Sequence, residues 1–305
     1  MFEHVDPAPW QSEFLARNRL QNDYLQTAAR FFDPLAALLA ELSASPDKPL
    51  LIGLNGSQGS GKSTLCDYLV AALQARYGLG AVALSLDDFY LTRDARQQLA
   101  DTVHPLLATR GVPGTHDLGL LHRTLESLRG GGLPTQAMAV PAFDKSLDER
   151  APVERWPRVT LPLQLVLLEG WCLGARSEDA AAVQAPINRL ETEEDPQGHW
   201  RAFANRALSE DFEPFYEDID FWIMLAAPGF EQVLQWRTEQ ERKLAATVDG
   251  VGSGLMDEEA LARFVAHFER HTRHCLRHMP DTVDVLLQLD EQRRVVSSRG
   301  LGTAG

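Results

Sequence analysis

Residues Gly56-Ser57-Gln58-Gly59-Ser60-Gly61-Lys62-Ser63 follow the spacing G-x-x-x-x-G-K-S/T, the pattern of a phosphate cradle. Glycines let the backbone curl until successive N–H groups point at phosphate oxygens. Lys62 brings a point charge to the β- and γ-phosphates, and the Ser63 hydroxyl can ligate Mg²⁺. Thr64 continues the turn into a helix whose N-terminal dipole also favours an anion. ATP and Mg²⁺ are therefore the expected cofactors. Further acids stand where apolar runs stop: Asp87 and Asp88 after one run, Glu169 after another. In open α/β sheets ligands bind outside the carboxyl ends of the strands. One of these carboxylates is expected to accept the proton of an attacking hydroxyl, and others, with Ser63, to hold Mg²⁺ or its waters. The plainer alternative, acids that only cap the next element, loses weight beside a phosphate cradle. Spacing alone leaves open which aspartate is the base.

The elements that must carry these groups are readable from periodicity. Residues 49–54 predict a strand that runs into the cradle, followed by a helix with Leu65, Leu69, Ala72 and Leu73 on one face and Gly78 and Gly80 at its end. Strands are expected at 81–86, 163–168, 221–225 and 283–289. Asp117 is placed to cap a helix bearing Leu118, Leu121, Leu125 and Leu128. A helix is expected near 229–245, and another after Asp257 with Leu261, Phe264, Val265 and Phe268 on one face. Apolar runs alternating with amphipathic helices predict an α/β protein with a mostly parallel sheet covered on both faces. Residues 1–48 read as an N-terminal helical extension, 49–290 as the main domain, 176–200 as an inserted acidic loop and 291–305 as a flexible tail.

The bulk properties narrow the partners. The chain has 305 residues, 44% hydrophobic and 24% charged, ordinary for a soluble domain. A formal net charge of −14 repels nucleic acid and anionic lipid, so the expected partner is a small molecule rather than nucleic acid or membrane. No segment approaches the roughly 18 consecutive apolar residues of a membrane span, and no basic patch precedes an apolar run near residue 1. Cys66, Cys172 and Cys275 are widely spaced and form no CxxC pair, which predicts buried thiols in a reducing, cytoplasmic setting. His267, His271, His274 and His278 repeat at helical spacing and could form a metal stripe, but no nearby acid completes the set. Phe89, Trp171 and Trp236 could line a pocket, but core packing is the expected role.

Taken together, the segments GSQGSGKSTL, SLDDFYLT, RGVPGTHDLGLL, DKS and LLEGWCLG resemble the D-glycerate 3-kinase family, and more distantly uridine kinase, phosphoribulokinase and pantothenate kinase. The similarity spans about residues 30–290. It implies a P-loop fold with a five-stranded parallel sheet, Asp87 at the base position, and Tyr90, Arg110, His116 and Asp117 around the acceptor, with Asp88 beside them. It further implies a role for Lys145 and Ser146 of the DKS segment, and a lid over 229–256 that brings Arg237, Arg242 and Lys243 to the phosphates. Arg110 and Lys145 are the cations expected to meet an acceptor carboxylate. In one place the chain departs from the family: the stretch Leu147-Asp148-Glu149-Arg150-Ala151-Pro152 is shorter than the glycine-rich loop expected after DKS. The expected activity is transfer of the γ-phosphoryl group of ATP to a metabolite hydroxyl, that of D-glycerate first. Another polyol, a nucleoside or a pantothenate-like acceptor is the alternative. A regulatory ATPase fits less well, since neither N-K-x-D nor a D-x-x-G switch after a strand is present.

Overall fold

The protein is described here from a computed structural model, which covers residues 6–44, 47–130, 137–247 and 258–302, without the side chains of 240–247 and 258. Among these residues the strands are β1 (Leu50–Gly56), β2 (Ala81–Ser85), β3 (Ala137–Ala139), β4 (Phe143–Asp144), β5 (Glu149–Arg150), β6 (Arg158–Thr160), β7 (Leu165–Gly170), β8 (Phe221–Ala226), β9 (Val285–Leu289) and β10 (Val295–Arg299). The helices are α1 (Pro9–Asn18), α2 (Tyr24–Thr27), α3 (Asp33–Leu42), α4 (Lys62–Tyr77), α5 (Arg93–Thr102), α6 (Leu118–Arg129), α7 (Ala180–Gln184), α8 (Arg189–Glu194), α9 (His199–Ala207), α10 (Glu213–Tyr216), α11 (Phe230–Thr247) and α12 (Glu258–His278).

The central sheet runs β10-β9-β8-β1-β7-β2. Five of its strands are parallel, and β10 joins β9 antiparallel. β1 and β7 are interior strands and almost wholly buried, which requires the apolar runs that both carry. The register aligns Leu54 with Glu169, and Glu169 with Ser85, so the cradle and the acids share one carboxyl edge. α4 returns across the sheet with Leu65, Leu69, Ala72 and Leu73 buried, each leucine contributing about 2 kcal/mol, and stops at Gly78, whose φ of 66° suits glycine.

Three readings of the sequence are corrected. The tail is not free, because Val295–Arg299 closes the sheet edge through backbone hydrogen bonds that ask little of side chains. Residues 176–200 are not an irregular loop. They hold α7 and α8, with Asn188 capping α8, a buried ion pair to distant Arg270 from Glu191 at 2.7 Å, and a local one between Arg201 and Asp195 at 2.9 Å. The N-terminal segment is helical, as expected, and its helices pack into the main core. Phe14, Leu35 and Leu39 share one core with Ile52 and Leu54, and the Tyr68 hydroxyl of α4 donates to Asp33 at 2.6 Å. The start of the expected lid belongs to the body: Trp236 of α11 is fully buried and donates to the Glu291 carbonyl at 2.8 Å. The lid residues 248–256, with Asp257, lie outside the described residues, as does the side chain of Arg242.

The three cysteines are free and buried, and Phe89 and Trp171 are core residues. Among the described residues no group of three or more His, Cys, Asp or Glu side chains is placed to hold a metal, and no helix is long and apolar enough to cross a membrane. Of the histidine stripe on α12, His267 and His271 are buried. Burial, reinforced by Arg270 and His274, pushes His271 down to about 3, and burial brings His116 to about 4 against a weaker pull from Asp87. Both are neutral when folded but take a proton near 6.5 when unfolded. A depressed pKa contributes stability above the unfolded value and loses it as pH falls. Melting temperature should therefore drop from pH 6.5 toward 4, and His271→Leu should flatten that slope. An unchanged slope in thermal melts of the variant would refute the buried neutral state.

Candidate active site

The cradle starts where β1 ends. Gly56 is packed so closely that a Cβ there would come within 2.7 Å of the Ser60 hydroxyl and 3.2 Å of Leu225. Gly59 and Gly61 have φ of 78° and 92°, open to glycine and strained for other residues. Gly61 offers α4 no side-chain cap, so the first N–H groups of that helix are left for a ligand. The buried oxygens Ser57 Oγ, Gln58 Oε1 and Ser60 Oγ have no protein partner, which suits a loop built to meet a polar guest. Asn55 ties the end of β1 to the loop after β7, donating to the carbonyls of Trp171 at 3.2 Å and Leu173 at 2.7 Å.

Glu169 sits across from the cradle. Its Oε1 accepts from the Ser63 hydroxyl at 2.7 Å, and its Oε2 lies 3.6 Å from Lys62 Nζ. Asp88 accepts from the Phe143 N–H at 3.0 Å. Burial raises its pKa, with the charges of Asp87 and Glu169 adding to this against the Phe143 bond and Lys145. Ser63, Asp88 and Glu169 thus offer hard oxygen donors on neighbouring elements, a set that fits Mg²⁺.

Asp87 follows β2 in a short 3₁₀ turn capped by Ser85. It accepts from Lys145 Nζ at 2.6 Å and from the Tyr90 hydroxyl at 2.8 Å. Burial alone would raise its pKa, but Lys145, Lys62 and these two bonds prevail and lower it to about 2. Tyr90 stacks on His116 with ring centroids 4.7 Å apart and meets Phe143 edge-on. Arg110 lies over the Phe143 ring, its centre 5.6 Å from the ring centroid, and donates to Asp148. Both ring nitrogens of buried His116 are unpartnered. The structure therefore gathers Asp87, Tyr90, Arg110, His116 and Lys145 on one side of the cradle.

Two expected residues stand differently. Asp117 uses both carboxylate oxygens within the protein, one accepting from the Leu120 N–H at 2.8 Å and the other from Arg150 at 2.9 Å. It caps α6 and tethers Arg150. Arg237 lies over the Phe264 ring at 5.4 Å, on the α11–α12 packing surface. The stretch after DKS is a compact hairpin: β5 pairs with β4, and Asp144 accepts from the Ser146 N–H at 3.0 Å and the Leu147 N–H at 3.2 Å. It delivers Arg150, which also donates to the Tyr90 carbonyl at 3.1 Å. Sequence reading missed Arg150 because that stretch looked like a loss of pattern. It also missed Arg96, although Arg96, Leu99 and Ala100 share the spacing of one helix face.

A P-loop at the carboxyl edge of a parallel sheet, with acids at the ends of β7 and β2 and with Lys145 and Arg110 close to those acids, is the arrangement of a P-loop kinase, an ATP-dependent phosphotransferase. No model of a protein family matches the chain. It is 32% identical over 248 residues to the uncharacterized kinase mug58 of Schizosaccharomyces pombe, covering 77% of this chain and 84% of that one. It is 30% identical over 264 residues to the chloroplastic D-glycerate 3-kinase of Arabidopsis thaliana, covering 81% of this chain and 54% of the plant protein. The solved structure of D-glycerate 3-kinase from Cryptococcus neoformans is similar with a TM-score of 0.70 and 25% identity, over 92% of this chain and 99% of that one. The chain belongs to the D-glycerate 3-kinase family.

Proposed function

We propose that the protein transfers the γ-phosphoryl group of ATP to a hydroxyl of D-glycerate. The observation that carries this reading is the pair of cations near Asp87: Lys145 donates to it, and Arg110 lies over Phe143, which meets Tyr90 and through it His116. A desolvated carboxylate left unpaired costs several kcal/mol, so a pocket with fixed cations selects an acidic acceptor. The names of the plant and fungal relatives point the same way.

Residues 56–64 bind the nucleotide phosphates, with Lys62 neutralising charge as it builds on the transferred group. Ser63, Asp88 and Glu169 would hold Mg²⁺, which would supply positive charge to offset that of the phosphates. Asp87 accepts a hydrogen bond from the acceptor hydroxyl, orients it toward the phosphoryl group and takes its proton as the bond forms. Lys145 and Tyr90 keep that carboxylate ionised. Arg110 has donors beyond its bond to Asp148 and takes the acceptor carboxylate with Lys145. The site of action is the cytoplasm, by the free buried thiols.

Saturable phosphorylation of D-glycerate at millimolar or lower concentration, with little ATP turnover in its absence, is the expected result. Arg110→Ala or Lys145→Ala should raise the KM for D-glycerate about tenfold and leave that for ATP nearly unchanged. Transfer to a larger alcohol with none to D-glycerate would overturn the choice of acceptor and leave the kinase chemistry in place.

A further inference from the structure

The acceptor side is held together by a guanidinium that lies outside the motifs. Arg96, in the first turn of α5, is 1% exposed. Arginine is rarely so buried unless every donor is engaged. Its Nε donates to the Leu91 carbonyl at 3.3 Å and its Nη1 to the Ala108 carbonyl at 2.7 Å. Nη2 donates to the Asp148 carbonyl at 2.9 Å and lies 2.9 Å from Asp148 Oδ2. These partners belong to three separate segments. One follows Asp87 and Tyr90, one leads into Arg110, and one is the hairpin turn that carries Lys145.

Asp148 passes the constraint on, because its other carboxylate oxygen accepts from Arg110. Its backbone is left-handed, with φ of 54°, a conformation that aspartate and asparagine tolerate better than most residues. Its carbonyl and its carboxylate thus both serve Arg96 while the same side chain holds Arg110.

We propose that Arg96 is a positioning residue for the acceptor: through Asp148 it sets Arg110 and the Lys145 turn at the spacing that a small hydroxy acid requires, and it has no part in nucleotide binding. This rests on the assignment of Arg110 and Lys145 to the acceptor. A shift of about 1 Å in such groups can cost about 10²-fold in rate. Lysine cannot replace the planar fork, since it offers a point charge without fixed directions.

The test compares Arg96→Lys and Asp148→Asn with Arg110→Ala, using D-glycerate and ATP as substrates. Asparagine keeps the left-handed turn and removes the charge. Both variants should raise the KM for D-glycerate by about tenfold and move the KM for ATP by less than about twofold. Added guanidinium ion should restore part of the loss in Arg96→Ala, and if that variant does not fold the other two carry the test. If Arg110→Ala impairs D-glycerate use while Arg96→Lys and Asp148→Asn do not, or if both substrates are affected alike, the positioning role is overturned. If Arg110→Ala has no effect, the acceptor assignment has failed instead. Amide exchange then decides for Arg96: in ligand-free Arg96→Lys protein, exchange over 144–150 should rise about tenfold relative to the P-loop, and unchanged exchange would overturn the proposal.

Discussion

Asp87→Asn is expected to lower turnover about 10³-fold while the KM for ATP stays within a few-fold of the parent value. The carboxylate is ionised at any working pH, since the charges of Lys145 and Lys62 and the bonds from Lys145 and Tyr90 outweigh its burial and bring it to about 2. Asparagine retains the shape and still accepts the Tyr90 hydroxyl, but it can neither take a proton nor balance Lys145. The loss should therefore fall on the chemical step, visible in single-turnover measurements with both substrates saturating. Retention of more than about a tenth of the activity would move the base to Asp88. Asp88→Asn should instead alter the Mg²⁺ dependence, because that side chain stands with Ser63 and Glu169, the proposed metal donors. A reversed outcome in Mg²⁺ titrations of the two variants would exchange the roles.

Lys62→Ala should reduce turnover by at least about 10²-fold with any acceptor that the parent protein phosphorylates. The ammonium group is mostly shielded, with 15% of the side chain exposed, and it lies 3.6 Å from Glu169. A charge in such a setting acts through a lower effective dielectric than water and is worth correspondingly more to a transferring phosphoryl group. Stability should change little, because Lys62 is the first residue of α4 and that helix is anchored further along by the buried Leu65, Leu69 and Leu73. Near-normal turnover in a variant with an unchanged melting curve would show that the nucleotide is held elsewhere. Lys62→Arg should also be impaired, since a planar fork does not reproduce a compact charge at the end of a flexible stem.

Much of the nucleotide side was legible without coordinates. The cradle is encoded in eight consecutive residues, and its context of a strand before and a helix after is carried by local periodicity. Asp87, Asp88 and Glu169 were found because a parallel sheet brings strand ends to one edge, whatever the order of the strands. The acceptor side was less legible. Lys145 meets Asp87 across 58 residues of chain, and the stretch from 147 to 152, which looked like a broken motif, folds into a hairpin that aims Arg150 at Asp117 and Tyr90.

The sequence by itself determined the kind of chemistry and the main elements, because phosphate binding depends on backbone conformations that particular residues permit, and helices and strands leave repeats of 3.6 and 2 in the chain. Only the tertiary structure decided which charges are partners. Arg96 is buried and Lys145 exposed, a difference that neither residue type nor spacing records. Arg270 and Arg201 turn an acidic stretch into ordered helices by pairing with Glu191 and Asp195 inside the protein. Val295–Arg299 becomes a strand because β9 leaves an edge free to be bonded. The physical reason is common to all of these: a charge or a backbone donor takes its conformation from the partner that satisfies it, and in a folded chain that partner can lie far away in sequence.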